Sequence, residues 1–249
     1  MTLGELRGVE RRFGDGIAAL GPMDLEIGES EFISLLGPSG CGKSTALKIV
    51  AGLLAPTRGS VLWHGAKPEI GFVFQDATLM PWATVLNNVA LPLAIAGTSR
   101  SEIEARSEAA LRRVGLGSDA GYLYPRALSG GMRMRVSIAR ALVARSALLL
   151  MDEPFAALDE ISRDGLNEDL LRLWREDGLT VLFVTHSVFE STFLSTRIIV
   201  LTPRPGRIAG MIRTNPPPGR STEWRTSREF AETANRTSAL LRDGLKAAA

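Results

Sequence analysis

Three stretches of the chain are apolar without alternation: FISLL at 32–36, ALLLM at 147–151 and TVLFVT at 180–185. A strand wetted on one face alternates apolar with polar residues. Unbroken runs this short fit strands covered on both faces, as in a mostly parallel sheet. Between the last two runs the period changes to that of a helix: Leu166, Leu170, Leu173 and Trp174 share a face, and Gly178 supplies a stop. Strands alternating with helices predict an α/β domain. Residues 76–128 read differently. They contain no clear buried strand, and 101–114 has helical period: Ile103, Ala110, Leu111 and Val114 share a face, Ser101 and Glu104 have capping-box spacing, and Gly115 follows. This predicts a mainly helical insertion into the sheet domain. Beyond residue 200, TPRPGRI predicts a tight turn between two short strands, NPPPGRS (215–221) breaks regular structure, and a last amphipathic helix presents Phe230, Ala234, Leu241 and Leu245. The expected division is a core of 1–75 with 146–213, a helical subdomain at 76–145, and a linker with helix at 214–249.

Composition narrows the class. With 249 residues, 45% hydrophobic and 22% charged, the chain can bury a substantial core. Its net charge of +2 comes without a long basic run or basic–aromatic interleaving, so no nucleic acid is expected as a partner. Cys41 is the single cysteine and His64 and His186 are the only histidines, which leaves no zinc cluster of ordinary spacing and no internal disulfide. The N-terminal MTLGELRGVERRF lacks the apolar core of a signal peptide, and no run of some 18 apolar residues occurs. A cytoplasmic location is expected.

The chemistry gathers in three motifs. Residues 37–45, GPSGCGKST, follow a predicted strand and open a predicted helix. A triphosphate needs many converging donors with no side chains in the way. Glycines let the backbone N–H groups of Gly37, Pro38-Ser39, Gly40, Cys41, Gly42, Lys43, Ser44 and Thr45 wrap it (Pro38 itself has none), and the helix N-terminus adds a favourable dipole. Lys43 would bridge the β- and γ-phosphates and Ser44 would ligate Mg²⁺; Cys41 reads as a small neutral filler. LLLMDE (148–153) ends a buried strand with two carboxylates: Asp152 suits Mg²⁺, and Glu153 suits activation of the attacking water. LSGGM (128–132) precedes a predicted helix at 132–144, so Ser129, Gly130 and Gly131 offer a hydroxyl and bare N–H groups at a second anion site. Alone, that segment would pass for an ordinary glycine-containing cap.

In this order GPSGCGKST, Gln75, LSGGM, LLLMDEP, the AALD stretch ending at Asp159, and His186 resemble the ATP-binding cassette ATPases over roughly residues 5–210. The resemblance implies a P-loop core with a mostly parallel sheet, an N-terminal antiparallel β part and an inserted helical subdomain. It also implies a homodimer with ATP between one chain's phosphate loop and the other's SGG segment. By the same resemblance Phe13, often tyrosine in the family, stacks on adenine; Gln75 touches Mg²⁺ and the attacking water; Asp159 spans the dimer; and His186 contacts the γ-phosphate. The competing readings are a core aromatic for Phe13, a surface loop residue for Gln75 and a strand-end histidine for His186, which precedes the capping-box pair Ser187 and Glu190. Ser187 replaces the family's usual aspartate, Met132 and Met134 stand where glutamine is usual, and Ala156 where serine is usual.

QDATLMPWATVLNNVALPL (75–93), YPRALSGGMRMRV (124–136) and VLTPRPGRI (200–208) resemble the nitrate, taurine and aliphatic-sulfonate importer branch. That implies transmembrane permease subunits as partners, a periplasmic or extracellular solute-binding protein acting indirectly, and residence on the cytoplasmic face of the membrane. Leu79, Met80, Trp82 and Val85 would form a groove for a permease helix, unless they pack only within the chain. An exporter ATPase and a permease-independent cassette ATPase are the alternatives.

Overall fold

The computed structural model describes residues 1–14, 16–214, 216–217, 220 and 222–246. The 215–221 breaker expected above lies largely outside them. In chain order the elements are β1 (Thr2–Arg12), β2 (Ala18–Gly28), β3 (Phe32–Leu36), α1 (Lys43–Ala51), β4 (Arg58–Trp63), β5 (Ile70–Val73), α2 (Val85–Ile95), α3 (Arg100–Arg113), α4 (Gly130–Leu142), β6 (Leu148–Asp152), α5 (Glu160–Asp177), β7 (Thr180–Thr185), α6 (Val188–Leu194), β8 (Arg197–Leu201), β9 (Ile208–Arg213), α7 (Thr222–Arg225) and α8 (Arg228–Lys246). They divide into two compact units, Met1–Lys67 with Thr180–Ala249, and Pro68–Leu179.

The first unit holds two sheets. β1 pairs antiparallel with β2 and with β4, and β2 alternates so that Met23, Leu25 and Ile27 point into the core. In the second sheet β3 lies parallel between β7 and β8, and β9 runs antiparallel to β8. Every residue of β3, β7 and β8 is buried, the state that unbroken apolar runs predict. α8 packs on β8 and β9 through Leu240 and Leu241. Leu245 at its end is 42% exposed, against expectation. The inward position there is Gly244, where a Cβ would come within 3.0 Å of Ala209.

In the second unit β5 and β6 pair parallel, and α2, α3 and α4 pack together. Gly71 lets α4 sit directly on β5, since a Cβ there would lie 2.5 Å from the Ala141 carbonyl oxygen. α3 is capped by Ser99, whose hydroxyl accepts from the Glu102 N–H, two residues before the expected Ser101–Glu104 box. The pattern did not predict α2 at all. Pro92 lies inside it, yet Thr84 caps it and Val85, Val89 and Leu93 bury one stripe, so packing overrides the proline.

Candidate functional site

The phosphate-binding candidate sits at a sheet edge. Leu36 pairs with Thr185 and with Val200, so the chain leaves the sheet at Gly37, at His186 and beyond Leu201 from adjacent parallel strands at the same level. The carboxyl ends of parallel strands are where α/β sheets take their ligands. Gly40 and Gly42 adopt φ of 76° and 100°, and a Cβ at Gly42 would also lie 2.6 Å from the Ala19 carbonyl oxygen. Only glycine meets both demands. Lys43 is buried, with Nζ donating to the Gly37 and Pro38 carbonyls at 2.8 and 3.0 Å. Cys41 is buried as a filler, while Ser39 and Gly40 lie open at the tip.

The start of α1 differs from those of α2 to α6. A side-chain oxygen caps each of α2 to α6, from Thr84, Ser99, Ser129, Asp159 and Ser187 in turn. At α1 the cap is Gly42, which has no side chain to offer. The first N–H groups of a helix have no partner within it, and together with the helix dipole they favour an anion.

Two further candidates lie in this unit. Phe13 starts a turn closed by Phe13 N–H to the Ile17 carbonyl at 3.0 Å, and Arg11 sits 4.9 Å from its ring centroid. At 41% exposure it is no core aromatic. His186 is exposed at the end of β7. The expected capping box beside it is half made. Ser187 Oγ accepts from the Glu190 N–H, but the Glu190 carboxylate reaches Thr185 Oγ1, which in turn accepts from the Ser187 N–H. Thr185 thus relays the second half and fixes the backbone on either side of His186.

The second unit carries the acids and the SGG segment. Val73 pairs with Met151, so Gln75 and the Asp152–Glu153 pair emerge from neighbouring parallel strands. Asp152 ends β6 half-buried. Glu153 has φ of 46°, a left-handed conformation that costs a non-glycine residue about 1–3 kcal/mol and is typical of functional positions. Its carbonyl accepts from the Ala156 N–H, and Arg163 holds the following turn through the Phe155 and Leu158 carbonyls. Asp159 caps α5 by accepting from the Ser162 N–H at 2.9 Å, and that bond, with the Ser162 hydroxyl, holds its carboxyl below the usual range.

α4 begins at Gly130, not at 132 as expected, because Ser129 Oγ accepts from the Met132 N–H at 3.2 Å and draws both glycines into the helix. Both lie against the start of α5: a Cβ on Gly130 would be 3.2 Å from Leu158 Cδ2, and one on Gly131 3.6 Å from Ser162 Cβ. The structure therefore brings Ser129, Gly130 and Gly131 beside the Asp159 turn.

Two residues that the sequence pattern did not single out hold the Gln75 loop. Arg140 on α4 donates to the Ala77 and Thr78 carbonyls, both at 2.9 Å, and to Thr78 Oγ1. Burial lowers its guanidinium pKa from the ordinary value, and these three acceptors offset that desolvation. Fully buried Asn88 receives the Met80 N–H and donates to the Met80, Ala83 and Thr84 carbonyls. Only its place one turn after Thr84 could have signalled this. Trp82, on the stapled segment, is 77% exposed, Leu79 and Met80 are half-buried and Val85 is fully buried, and none of these four expected groove residues lines the groove that opens beside them in sequence. A groove of about 400 Å³ opens between β5, α2 and α4, among Phe72, Phe74, Leu91, Pro92, Ile95 and Arg140.

These arrangements are those of a nucleotide-binding ATPase. Residues 20–156 match the ABC transporter family. An uncharacterized ABC transporter ATP-binding protein of Methanocaldococcus jannaschii is 45% identical over 92% of this chain and 86% of its own length. The taurine import ATP-binding protein TauB of Rhizobium johnstonii is 42% identical over 92% and 91%. Among solved structures, the dimeric ATP-binding cassette MJ0796 in a post-hydrolysis state with ADP and Pi superposes with a TM-score of 0.76 at 34% identity, covering 86% of this chain and all of that one. The chain belongs to the ABC transporter family, whose ATP-binding cassettes hydrolyse ATP, and it has their α/β P-loop fold.

Proposed function

We propose that this chain is the ATPase subunit of an importer, working as a homodimer on the cytoplasmic face of the membrane and driving a separate permease. The observation that carries the reading is the glycine-shaped start of α1, which no side chain caps, with Lys43 buried at its base. Residues 37–45 hold the phosphates of ATP, Phe13 supports the adenine, and the partner copy's Ser129, Gly130 and Gly131 close over the γ-phosphate. Ser44, Gln75 and Asp152 present a hydroxyl, an amide and a carboxylate, hard oxygen donors suited to Mg²⁺. The ion would neutralise charge on the phosphates. Glu153 takes a proton from water as its oxygen bonds to the γ-phosphorus and the bond to the ADP oxygen breaks. His186 donates to the γ-phosphate, and Asp159 reaches the partner copy. Water excluded by closure strengthens each of these charge contacts.

The likeness to TauB, a taurine import protein, supports import; the cargo of this proposal is taurine, an aliphatic sulfonate, nitrate or a similar small solute, delivered by a solute-binding protein. The groove beside α2 and the exposed Trp82 on the 75–84 segment are the surfaces where a permease helix would dock. In proteoliposomes containing the matching permease, Trp82→Ala should keep the ATPase rate of the isolated subunit and lose most transport. Undiminished transport would remove Trp82 from the coupling surface.

A further inference from the structure

The proposed function leaves one sequence motif unused: TPRPGR at 202–207, the connection from β8 to β9. Thr202 clips this turn shut, its N–H donating to the Arg207 carbonyl at 2.9 Å and its hydroxyl accepting from the Arg207 N–H at 3.0 Å. The tip then reaches back to β2 in the other sheet of the same unit. Gly206 N–H donates to the Ala19 carbonyl at 3.1 Å, and Gly21 N–H donates to the Gly206 carbonyl at 3.0 Å.

Gly206 is buried, and its backbone lies against the phosphate loop itself. A Cβ there would overlap the Cys41 carbonyl oxygen, well inside the 3.0 Å that such contacts respect, and would approach the Cys41 carbonyl carbon at 3.1 Å. Gly206 is not among the positive-φ residues, so the requirement for glycine here is one of space and not of backbone conformation. The Ala19 carbonyl that receives its N–H is also the atom that forbids a side chain at Gly42. Leu201, just before the turn, places its carbonyl oxygen 3.1 Å from where a Gly37 Cβ would be. Arg204 Nε donates to the Ala18 carbonyl at 3.3 Å, and Ala18 pairs with Arg12, the neighbour of Phe13. The turn thus meets the loop at 41 and, through Ala19, at 42, and the strand end that leads into it meets the loop at 37.

We infer that the 202–207 turn is a brace that holds the phosphate loop in its binding conformation, with Gly206 as the positioning residue. The inference rests on residues 37–45 binding ATP. Converging amides bind an anion tightly only if their convergence is set beforehand; otherwise binding must supply the ordering. A methyl group at 206 pushes the Cys41 carbonyl away and loosens that convergence without removing any group that touches nucleotide.

The test uses the full chain, with Gly206→Ala compared against Gly117→Ala, whose φ of −67° and open surroundings accept a methyl. ATP affinity, KM, kcat and amide hydrogen exchange over residues 37–45 without nucleotide are measured. Gly206→Ala should raise the ATP Kd and KM about tenfold, keep kcat at saturating ATP within about threefold and speed exchange at 37–45, with Gly117→Ala as wild type. A purely structural role would lower the melting temperature and the active fraction but leave KM alone. Wild-type Kd and exchange in Gly206→Ala overturn the brace, whereas failure of the unaltered protein to bind ATP overturns the underlying reading instead. If Gly206→Ala is not recovered folded, Arg204→Ala decides on its exposed side chain: ATP bound about threefold more weakly at unchanged melting temperature supports the brace, and unchanged Kd rejects it.

Discussion

Two helices of this protein start in glycine-rich segments suited to anions, and they are built in opposite ways. At α1 Gly40 and Gly42 take left-handed conformations that glycine adopts without strain, a neighbouring carbonyl leaves no room for a side chain at Gly42, and no side chain caps the helix. At α4 Gly130 and Gly131 are ordinary helical residues behind a serine cap, and a methyl on Gly131 would meet only van der Waals contacts. Each helical glycine costs about 0.5–1 kcal/mol relative to alanine. Leu158 crowds a side chain at Gly130, but at Gly131 no contact within the described residues requires glycine. The first segment is explained by its own surroundings; for Gly131 the proposed partner-held nucleotide, approaching the backbone from outside, supplies the reason.

The comparison can be broken by substitution, starting with the largest effect. Gly42→Ala adds backbone strain of about 1–3 kcal/mol and a clash with Ala19, and should reduce ATP binding below detection in calorimetry and lower the melting temperature. Glu153→Gln should keep ATP affinity and cut hydrolysis about 10²–10⁴-fold in a phosphate-release assay; activity within a few-fold of wild type would strip Glu153 of its role. Gly131→Ala should separate fold from function, with stability to urea unchanged or raised by up to about 1 kcal/mol while ATPase falls at least tenfold. A loss of stability there would mean that the chain itself needs the glycine.

The smallest effect concerns Asp159. Its folded pKa is depressed by the Ser162 bonds, so its contribution to stability is present above the ordinary carboxylate range and is lost as pH falls through the lowered value. Asp159→Asn, which keeps a capping oxygen, should match wild type in melting temperature at neutral pH and show a shallower decline in acid.

How far these features could be read in advance followed their range. The strands β3 and β7 and the stop at Gly178 rest on local pattern, and they stand where the sequence puts them. The 37–45 loop was legible as a phosphate-binding candidate because its glycines, lysine and serine are contiguous. Features set by tertiary contacts were displaced or hidden: α2 around Pro92, the shift of the α3 cap to Ser99, and Gly244 in place of Leu245 on the α8 face. Asn88 and Arg140 were invisible because each is an unremarkable polar residue on a helix until the loop it holds folds onto it. The half-made box at Ser187 shows the same limit, since Thr185 takes a bond that spacing alone assigns to Glu190.

The most direct test of the central claim is a crystal structure of Glu153→Gln with ATP and Mg²⁺. Each nucleotide should lie between residues 37–45 of one copy and Ser129, Gly130 and Gly131 of the other, with the γ-phosphate within hydrogen-bond reach of both. A bound nucleotide with no phosphate oxygen near any Gly130–Gly131 pair would contradict the account.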